Sequence, residues 1–296
     1  MFSTPINYNY PLFRPPSEAR SLILQVTLGC SWNRCAFCEM YRSKEFSIRD
    51  EKAIFNEIEK VAQIEPHTRR VFLADGDAMM LPTESLLRVL DKIRGAFPGV
   101  QRISSYALPR NLLKKSASQL KELHEAGLKL LYVGIESGDD EVLKRIKKGE
   151  TAETTIKGLL MAKAADIKSS VIIINGLGGA KLSEQHALGS AGVLNATQPE
   201  YASTLVISFP HGRERFVQAF GNDYVHMSQR RLFEEMRIFI EATTLECTVF
   251  RSDHASNYLS LKGILGRDKT ALLDQIAYAI AHPEEAGLRE EWQRGL

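Results

Sequence analysis

The sequence predicts an α/β protein: a partial (β/α)6 TIM-like barrel of parallel strands with a mostly helical C-terminal extension. Six short runs of the chain are almost entirely apolar, which is typical of parallel strands whose two faces are both covered by helices. Amphipathic stretches of helical periodicity separate these runs. Such alternation of β and α units is typical of parallel barrels.

The predicted elements follow in order along the chain. Strands are expected over 22–27, 70–74, 101–105, 129–135, 169–175 and 201–207. Helices are expected between them, over 50–64, 83–96, 111–126, 152–165 and 182–195. After residue 208 the rhythm changes to helices over 228–244, 268–282 and 284–293, with one short strand at 247–250. We therefore divide the chain into an extended, Pro-punctuated arm (1–20), a barrel core (21–208) and an extension that packs on the barrel (209–296).

Composition excludes several classes of function. A net charge of +2 and a tail without basic–aromatic interleaving do not indicate a nucleic-acid partner. No apolar run approaches the roughly 18 residues of a membrane span, and the N-terminus lacks the pattern of a signal peptide. Four cysteines without signs of secretion fit a reducing compartment, in which cysteines serve metals or catalysis. We expect a cytoplasmic protein without a membrane partner.

Three of the four cysteines, Cys30, Cys35 and Cys38, lie within nine residues directly after the first predicted strand. So tight a cytoplasmic cluster argues against disulfides and for a metal centre. From the residues alone two centres stay open: zinc with a fourth ligand such as histidine, and a [4Fe–4S] cluster with one iron open. The chain lacks a second Cys-x2-Cys and a His-x3–5-His pair, which favours the cluster.

Polar residues gather where the predicted strands end. Ligands of parallel α/β folds bind at the C-terminal ends of the strands. Asp75-Gly76-Asp77 follows the second strand and is either a plain turn or a set of acceptors for an ammonium group. Glu136 ends the fourth strand and is either an exposed loop acid or a ligand-binding carboxylate.

The cysteine loop, with Phe37 directly before its last cysteine, resembles the cluster motif of radical S-adenosylmethionine (SAM) enzymes. Its first spacing is four residues where three is commonest in that family. The resemblance covers roughly residues 20–265 and is closest to the branch of anaerobic coproporphyrinogen dehydrogenases and methylthiotransferases. The segments that carry it are 105–110, 132–143, 147–151 and 171–179.

This resemblance implies cofactors and site residues. A [4Fe–4S] cluster is expected on Cys30, Cys35 and Cys38. The residues expected to bind SAM are Phe37, Gly76 and Asp77 (amino group), Ser104 and Glu136 (ribose), Lys148 (carboxylate) and Ile173. Gly176–Gly179 is expected to approach the adenine. The alternative interpretation of Lys148 is a lysine on the surface of a helix.

The implied activity is reductive cleavage of SAM to a 5′-deoxyadenosyl radical that takes hydrogen from an unidentified substrate. A small molecule is the expected substrate, and a flavodoxin or ferredoxin the expected electron donor. Tyr41, Tyr106 and His254 are candidates on the substrate side, although the polar loop around His254 equally suits helix capping. The alternative is a non-catalytic zinc- or Fe–S-binding protein whose three cysteines are structural.

Overall fold

Eight strands form the main sheet of the computed structural model, which describes residues 5–295. The strands of the chain are β1 (Leu22–Gln25), β2 (Thr27–Leu28), β3 (Ser47–Ile48), β4 (Arg70–Ala74), β5 (Arg102–Tyr106), β6 (Leu128–Glu136), β7 (Lys168–Asn175), β8 (Tyr201–Val206), β9 (Val249–Ser252) and β10 (Leu261–Ile264). The main sheet has the order β1-β4-β5-β6-β7-β8-β9-β10, and β2 and β3 form a separate antiparallel pair. Strands β1, β4, β5 and β6 pair in parallel, as do β7, β8 and β9, whereas β10 is antiparallel to β9.

Ten helices occur within the described residues. They are α1 (Glu51–Ile64), α2 (Thr83–Ala96), α3 (Pro109–Leu112), α4 (Ala117–Glu125), α5 (Asp140–Arg145), α6 (Ala152–Ala164), α7 (Gly179–Thr197), α8 (Glu214–Phe220), α9 (Gln229–Ala242) and α10 (Lys269–Ala281). None of these helices combines the length and the apolar character needed to cross a bilayer.

The predicted fold class is confirmed, since the six predicted core strands are present as parallel strands between helices. Several details differ, including the following three. The stretch 111–126 forms two helices, because the Ser116 hydroxyl caps a new helix in a reciprocal capping box with Gln119. The predicted helix over 284–293 is wrong, because only a three-residue 3-10 turn, Glu291–Gln293, forms there. The extension also contributes two strands to the main sheet: β9, which corresponds to the strand predicted at 247–250, and β10, which the sequence did not predict.

The chain divides into two compact units, whose bounds differ from our division at residues 20 and 208. The first contains Met1–Asn33, Cys38–Val133 and Lys157–Ser169. Its core holds an edge-to-face cluster of Phe72, Tyr106 and Tyr132, with ring centroids 5.1–6.2 Å apart. The carboxylate of Glu18, fully buried in this unit, accepts hydrogen bonds from Ser21, Arg102, Ser104 and Tyr132.

The second unit contains Arg34–Phe37, Gly134–Ile156 and Ser170–Leu296. One core cluster of this unit joins apolar side chains of α5, β7 and α8, among them Leu143, Ile174 and Phe216. A smaller cluster of Val206, Met227 and Leu232 packs at the end of β8. The unit thus contains the C-terminal ends of β6, β7 and β8, from which three strand-end turns leave.

Candidate functional site

The cysteine loop begins directly after β2. None of the four cysteines forms a disulfide; Cys30, Cys35 and Cys38 are partly exposed and Cys247 is exposed. Among residues 5–295, no three His, Cys, Asp or Glu side chains are grouped in a geometry that holds a metal ion. The assignment of the three cysteines to a cluster therefore rests on donor chemistry, because thiolates are the usual ligands of iron–sulfur clusters.

Hydrogen bonds between backbone and side chains, together with one packing contact, fix the course of this loop. In the first unit, the amide of Gly29 donates to Asp75 Oδ2 (3.0 Å), and the Asn33 side-chain amide donates to the carbonyl of Tyr41 (2.9 Å). In the second unit, Arg215 donates to the carbonyl of Cys35 (2.9 Å), and the partly buried ring of Phe37 packs against the apolar cluster of α5 and α8. The loop is thus tied down on both sides of Cys35.

Asp75, the first residue after β4, is a structural acid. Its side chain is fully buried and accepts from Gln25 Nε2 (2.9 Å), from the amide of Gly29 and from Lys44 Nζ (2.7 Å). Lys44 is buried as well, and also donates to the carbonyl of Asn9 (2.7 Å). The charge of Asp75 is therefore neutralised from within the unit.

Asp77, two residues further, is different. Its side chain is fully buried, and its Oδ2 accepts hydrogen bonds from the Ser31 hydroxyl and the Asn111 side-chain amide. Its Oδ1 has no hydrogen-bond partner among the described residues. Burial raises the pKa of Asp77 to about 6, although the two hydrogen bonds and the charges of Lys114 and Arg110 lower it. A buried carboxylate with an open oxygen is suited to accept an ammonium group.

Asn111 is a site residue that the sequence did not indicate. It lies in α3 and is buried; its Nδ2 donates to Asp77, while its Oδ1 has no partner among the described residues. The two residues are 34 positions apart in the sequence, and no local pattern predicts their contact. Asn111 adds a second open acceptor beside Asp77.

Gly76 lies in close contact with Tyr41 and Cys30. A Cβ atom on Gly76 would lie 2.8 Å from Tyr41 Cε2 and 3.1 Å from the Cys30 Cβ, so no larger residue fits. Tyr41 is buried, and its hydroxyl has no partner among the residues that the structure describes. Burial raises the pKa of Tyr41, and the nearby Tyr106, Asp75 and Cys30 raise it further. Tyr106 belongs to the aromatic cluster of Phe72 and Tyr132, and burial raises its pKa also.

Ser104, expected to bind the ribose, lies inside β5, two residues before the end of the strand. β5 continues to Tyr106, and its two serines are fully buried within the sheet. The Ser104 hydroxyl donates to Glu18 Oε1 (3.0 Å) and so belongs to the buried network around Glu18.

Glu136 and Lys148, predicted to contact different parts of SAM, form an ion pair with each other. Lys148 Nζ lies 3.0 Å from Glu136 Oε1, and both side chains are buried. Glu136 has a left-handed backbone (φ 62°), which turns its side chain back over Gly134, where a Cβ would overlap the carboxylate.

Ile173 lies in β7, and His254 lies in the loop between β9 and β10. Ile173 lines a small cavity together with Asn175, His186, Thr204 and Glu235, which come from β7, β8, α7 and α9. His254 Nδ1 contacts its neighbour Ser256 (2.9 Å), and burial lowers the pKa of the imidazole.

The loop around His254 has a structural task. Asn257 Oδ1 accepts from the amide of Val206 (2.9 Å), and Asn257 Nδ2 donates to the carbonyl of Thr204 (2.8 Å). Arg289 donates to the carbonyls of His254 (2.9 Å) and Asn257 (2.8 Å). These contacts favour the capping interpretation of this loop over substrate contact.

A mostly parallel α/β sheet, with three cysteines after the first strands and buried acids after β4 and β6, defines a class of cofactor-binding barrel-type proteins. Comparison with known proteins identifies the family. The model of the Radical SAM superfamily matches residues 24–188, more than half of the chain. The chain therefore belongs to the Radical SAM superfamily, as predicted. Enzymes of this superfamily generally use a [4Fe–4S] cluster and SAM, with a reductant and a small substrate.

Two curated proteins and one solved structure illustrate the likeness. The chain is 27% identical over 169 residues to 4'-phospho-dehydrooxetanocin synthase of Priestia megaterium, covering 50% of this chain and 22% of that protein. It is 25% identical over 179 residues to the heme chaperone HemW of Bacillus subtilis (strain 168), covering 60% and 46%. In fold it resembles coproporphyrinogen III oxidase (HemN) from Escherichia coli, with a TM-score of 0.56, 14% identity, and coverage of 90% of this chain and 70% of that one. The chain spans less than half the length of the two curated relatives.

Proposed function

We propose that this chain is a radical SAM enzyme that acts on a small-molecule substrate. Cys30, Cys35 and Cys38 would hold the [4Fe–4S] cluster, and a flavodoxin or ferredoxin would reduce it. When bound, the cluster and SAM supply a 5′-deoxyadenosyl radical, which takes a hydrogen atom from the substrate. Family membership and the three clustered cysteines support the proposal.

The observation that carries the proposal is that Asp77 is buried and that one of its carboxylate oxygens has no hydrogen-bond partner among the described residues. A carboxylate without a cationic partner is costly to bury. The open oxygens of Asp77 and Asn111 can accept hydrogen bonds from the amino group of SAM. Gly76 lets the backbone of this turn approach Cys30 closely, which suits a ligand bound beside the first cysteine.

Other residues have supporting roles in this proposal. Glu136 keeps a second carboxylate oxygen besides the one near Lys148, and a carboxylate oxygen is a suitable acceptor for ribose hydroxyls. The Lys148 ammonium neutralises Glu136 in its buried position and remains a donor for the SAM carboxylate. Tyr41, packed against Gly76, shields the turn from water.

Anaerobic purification tests the proposal. We expect a brown protein with about four irons per chain, as the cluster type requires, and 5′-deoxyadenosine when SAM and a reductant are added. We expect Cys35→Ala to lose the iron. Cys247→Ala is the matched control, since Cys247 is exposed and far along the chain, and it should keep the full iron content.

Two results would contradict the proposal. A colourless wild-type protein with stoichiometric zinc would support the structural three-cysteine site instead. Full iron content in Cys35→Ala would remove Cys35 from the ligand set.

A further inference from the structure

A buried acid of α9, Glu235, joins two strand-end turns of the second unit. It is 2% exposed. Its Oε1 accepts from the amide of Gly176 (2.6 Å) in the turn after β7, and its Oε2 accepts from the Ser183 hydroxyl of α7 (2.6 Å). Glu235 thus fixes the first residue of the Gly176–Gly179 turn, which the family resemblance assigns to the adenine.

His186 connects the same carboxylate to the turn after β6. His186 Nε2 lies 3.8 Å from Glu235 Oε1, and His186 Nδ1 lies 2.8 Å from the Ser137 hydroxyl. Ser137 directly follows Glu136, and its hydroxyl also accepts from the amide of Asp139 (3.0 Å). His186 and Ser137 are both buried. The chain of contacts Glu235–His186–Ser137 therefore ends beside the residue proposed to bind the ribose.

Further contacts from the same segment hold the turn after β7. Asn175 Nδ2 donates to the carbonyl of Leu232 in α9 (3.2 Å), and the Tyr224 hydroxyl donates to the carbonyl of Gly176 (3.2 Å). Side-chain hydrogen bonds thus connect the stretch 224–235 to two successive residues at this turn, Asn175 and Gly176.

An apolar core would be the simpler way to pack α9 against α7. Burying a carboxylate has a free-energy cost, and a hydrophobic replacement of a buried charged network is often neutral or stabilising. Burial raises the pKa of Glu235, whereas His186, Ser183 and the amide of Gly176 lower it. A network of this kind sets geometry rather than maximal stability.

We propose that Glu235, acting through His186 and Gly176, is a positioning residue that holds the turns after β6 and β7 in the arrangement required by the nucleoside of SAM. The inference rests on the proposed function. It assigns a role to the C-terminal extension, because α9 then orders turns formed by the superfamily-matched part of the chain.

The test uses the full chain, reconstituted anaerobically. We expect Glu235→Leu to raise the Kd for SAM about tenfold, which corresponds to about 1.4 kcal/mol. We also expect faster hydrogen exchange in peptides covering 134–140 and 175–181. Glu235→Gln keeps an acceptor for Gly176 and a partner for Ser183, so it should recover most of the affinity. Glu234→Leu is the matched control on α9: Glu234 is paired with Arg230 at the surface, and the variant should bind like wild type.

The outcomes separate the two proposals. A wild-type protein that binds no SAM overturns the proposed function and, with it, this inference. Wild-type affinity in Glu235→Leu overturns the inference alone. If Glu235→Leu does not fold, Tyr224→Phe keeps the ring and removes only the bond to Gly176; we expect its Kd to rise about threefold, and an unchanged Kd with unchanged exchange would overturn the inference.

Discussion

Buried acids lie at the C-terminal end of β6 and in the turn after β4, but their charges are balanced differently. At the end of β6, Glu136 is paired with Lys148, and after β4, Asp75 is paired with Lys44. Asp77, in the same turn as Asp75, forms no ion pair with any described residue and has one oxygen without a partner. A buried acid at a strand end is thus structural where a lysine contacts it directly, and open to a ligand where nearby cations only partly offset its burial.

The largest effect is expected for Asp75, whose charge is balanced by Lys44. Asp75→Asn should lower the free energy of unfolding by about 3–5 kcal/mol, because it leaves the buried Lys44 without its countercharge. Urea denaturation of the apo-protein measures this. Asp91→Asn, the same substitution at an exposed position of α2, should change little. Equal stability of the two variants would show that the Lys44 pair is not needed for folding.

The pair after β6 should respond in the same way but less strongly. Lys148→Met leaves Glu136 buried without its cation, and we expect a loss of about 3 kcal/mol in the free energy of unfolding. The double variant with Glu136→Gln should regain most of it, whereas Lys144→Met, at an exposed position of α5, should be neutral. A double variant as unstable as Lys148→Met would mean that the two side chains are not coupled.

Asp77 should give the smallest change, and of opposite sign. Its folded pKa of about 6 lies above the ordinary value of 3.8, so the fold favours the protonated acid. Its contribution to stability is full below pH 3.8 and is lost as the pH rises through 6. At pH 8 Asp77→Asn should therefore be more stable than wild type by about 2–3 kcal/mol, since one pKa unit corresponds to about 1.4 kcal/mol.

The same Asp77 variant should bind SAM more weakly, because an amide does not neutralise the amino group. Urea denaturation at pH 4 and pH 8, together with SAM binding by equilibrium dialysis, measures both effects. A variant that is more stable yet retains wild-type SAM affinity would remove Asp77 from the proposed site.

Much of the fold could be predicted from the sequence because its signals are local. The apolar run 70–74 coincides with β4, and the amphipathic stretch 83–96 coincides with α2. Two helix starts that were not predicted carried local signals as well: Ser116 with Gln119 begins α4, and Asp139 caps the short α5 by accepting from the amide of Val142 (2.8 Å). β10, with the sequence Leu-Lys-Gly-Ile, has no such signal, and its pairing with β9 defines it.

The candidate site was only partly predictable, because its decisive contacts are long-range. The sequence marked Gly76, Asp77 and Glu136 as strand-end residues, but not that Lys148 lies against Glu136 or that Asn111 lies against Asp77. Glu235 stands in an ordinary amphipathic helix, and its bond to Gly176 crosses 59 residues of sequence. Which acid is already neutralised depends on such tertiary partners, and spacing along the chain does not encode them.

The amide of Asn257 has one more consequence, for association between molecules. β9 pairs with β8 only along Tyr201–Ser203, so the rest of that strand, up to Val206, would present unsatisfied main-chain groups at an edge. Such edges recruit strands of other molecules and promote aggregation. The Asn257 side chain bonds the carbonyl of Thr204 and the amide of Val206, in the part of β8 that β9 does not pair with. Asn257 thus occupies two main-chain groups with which a strand of another molecule could otherwise pair.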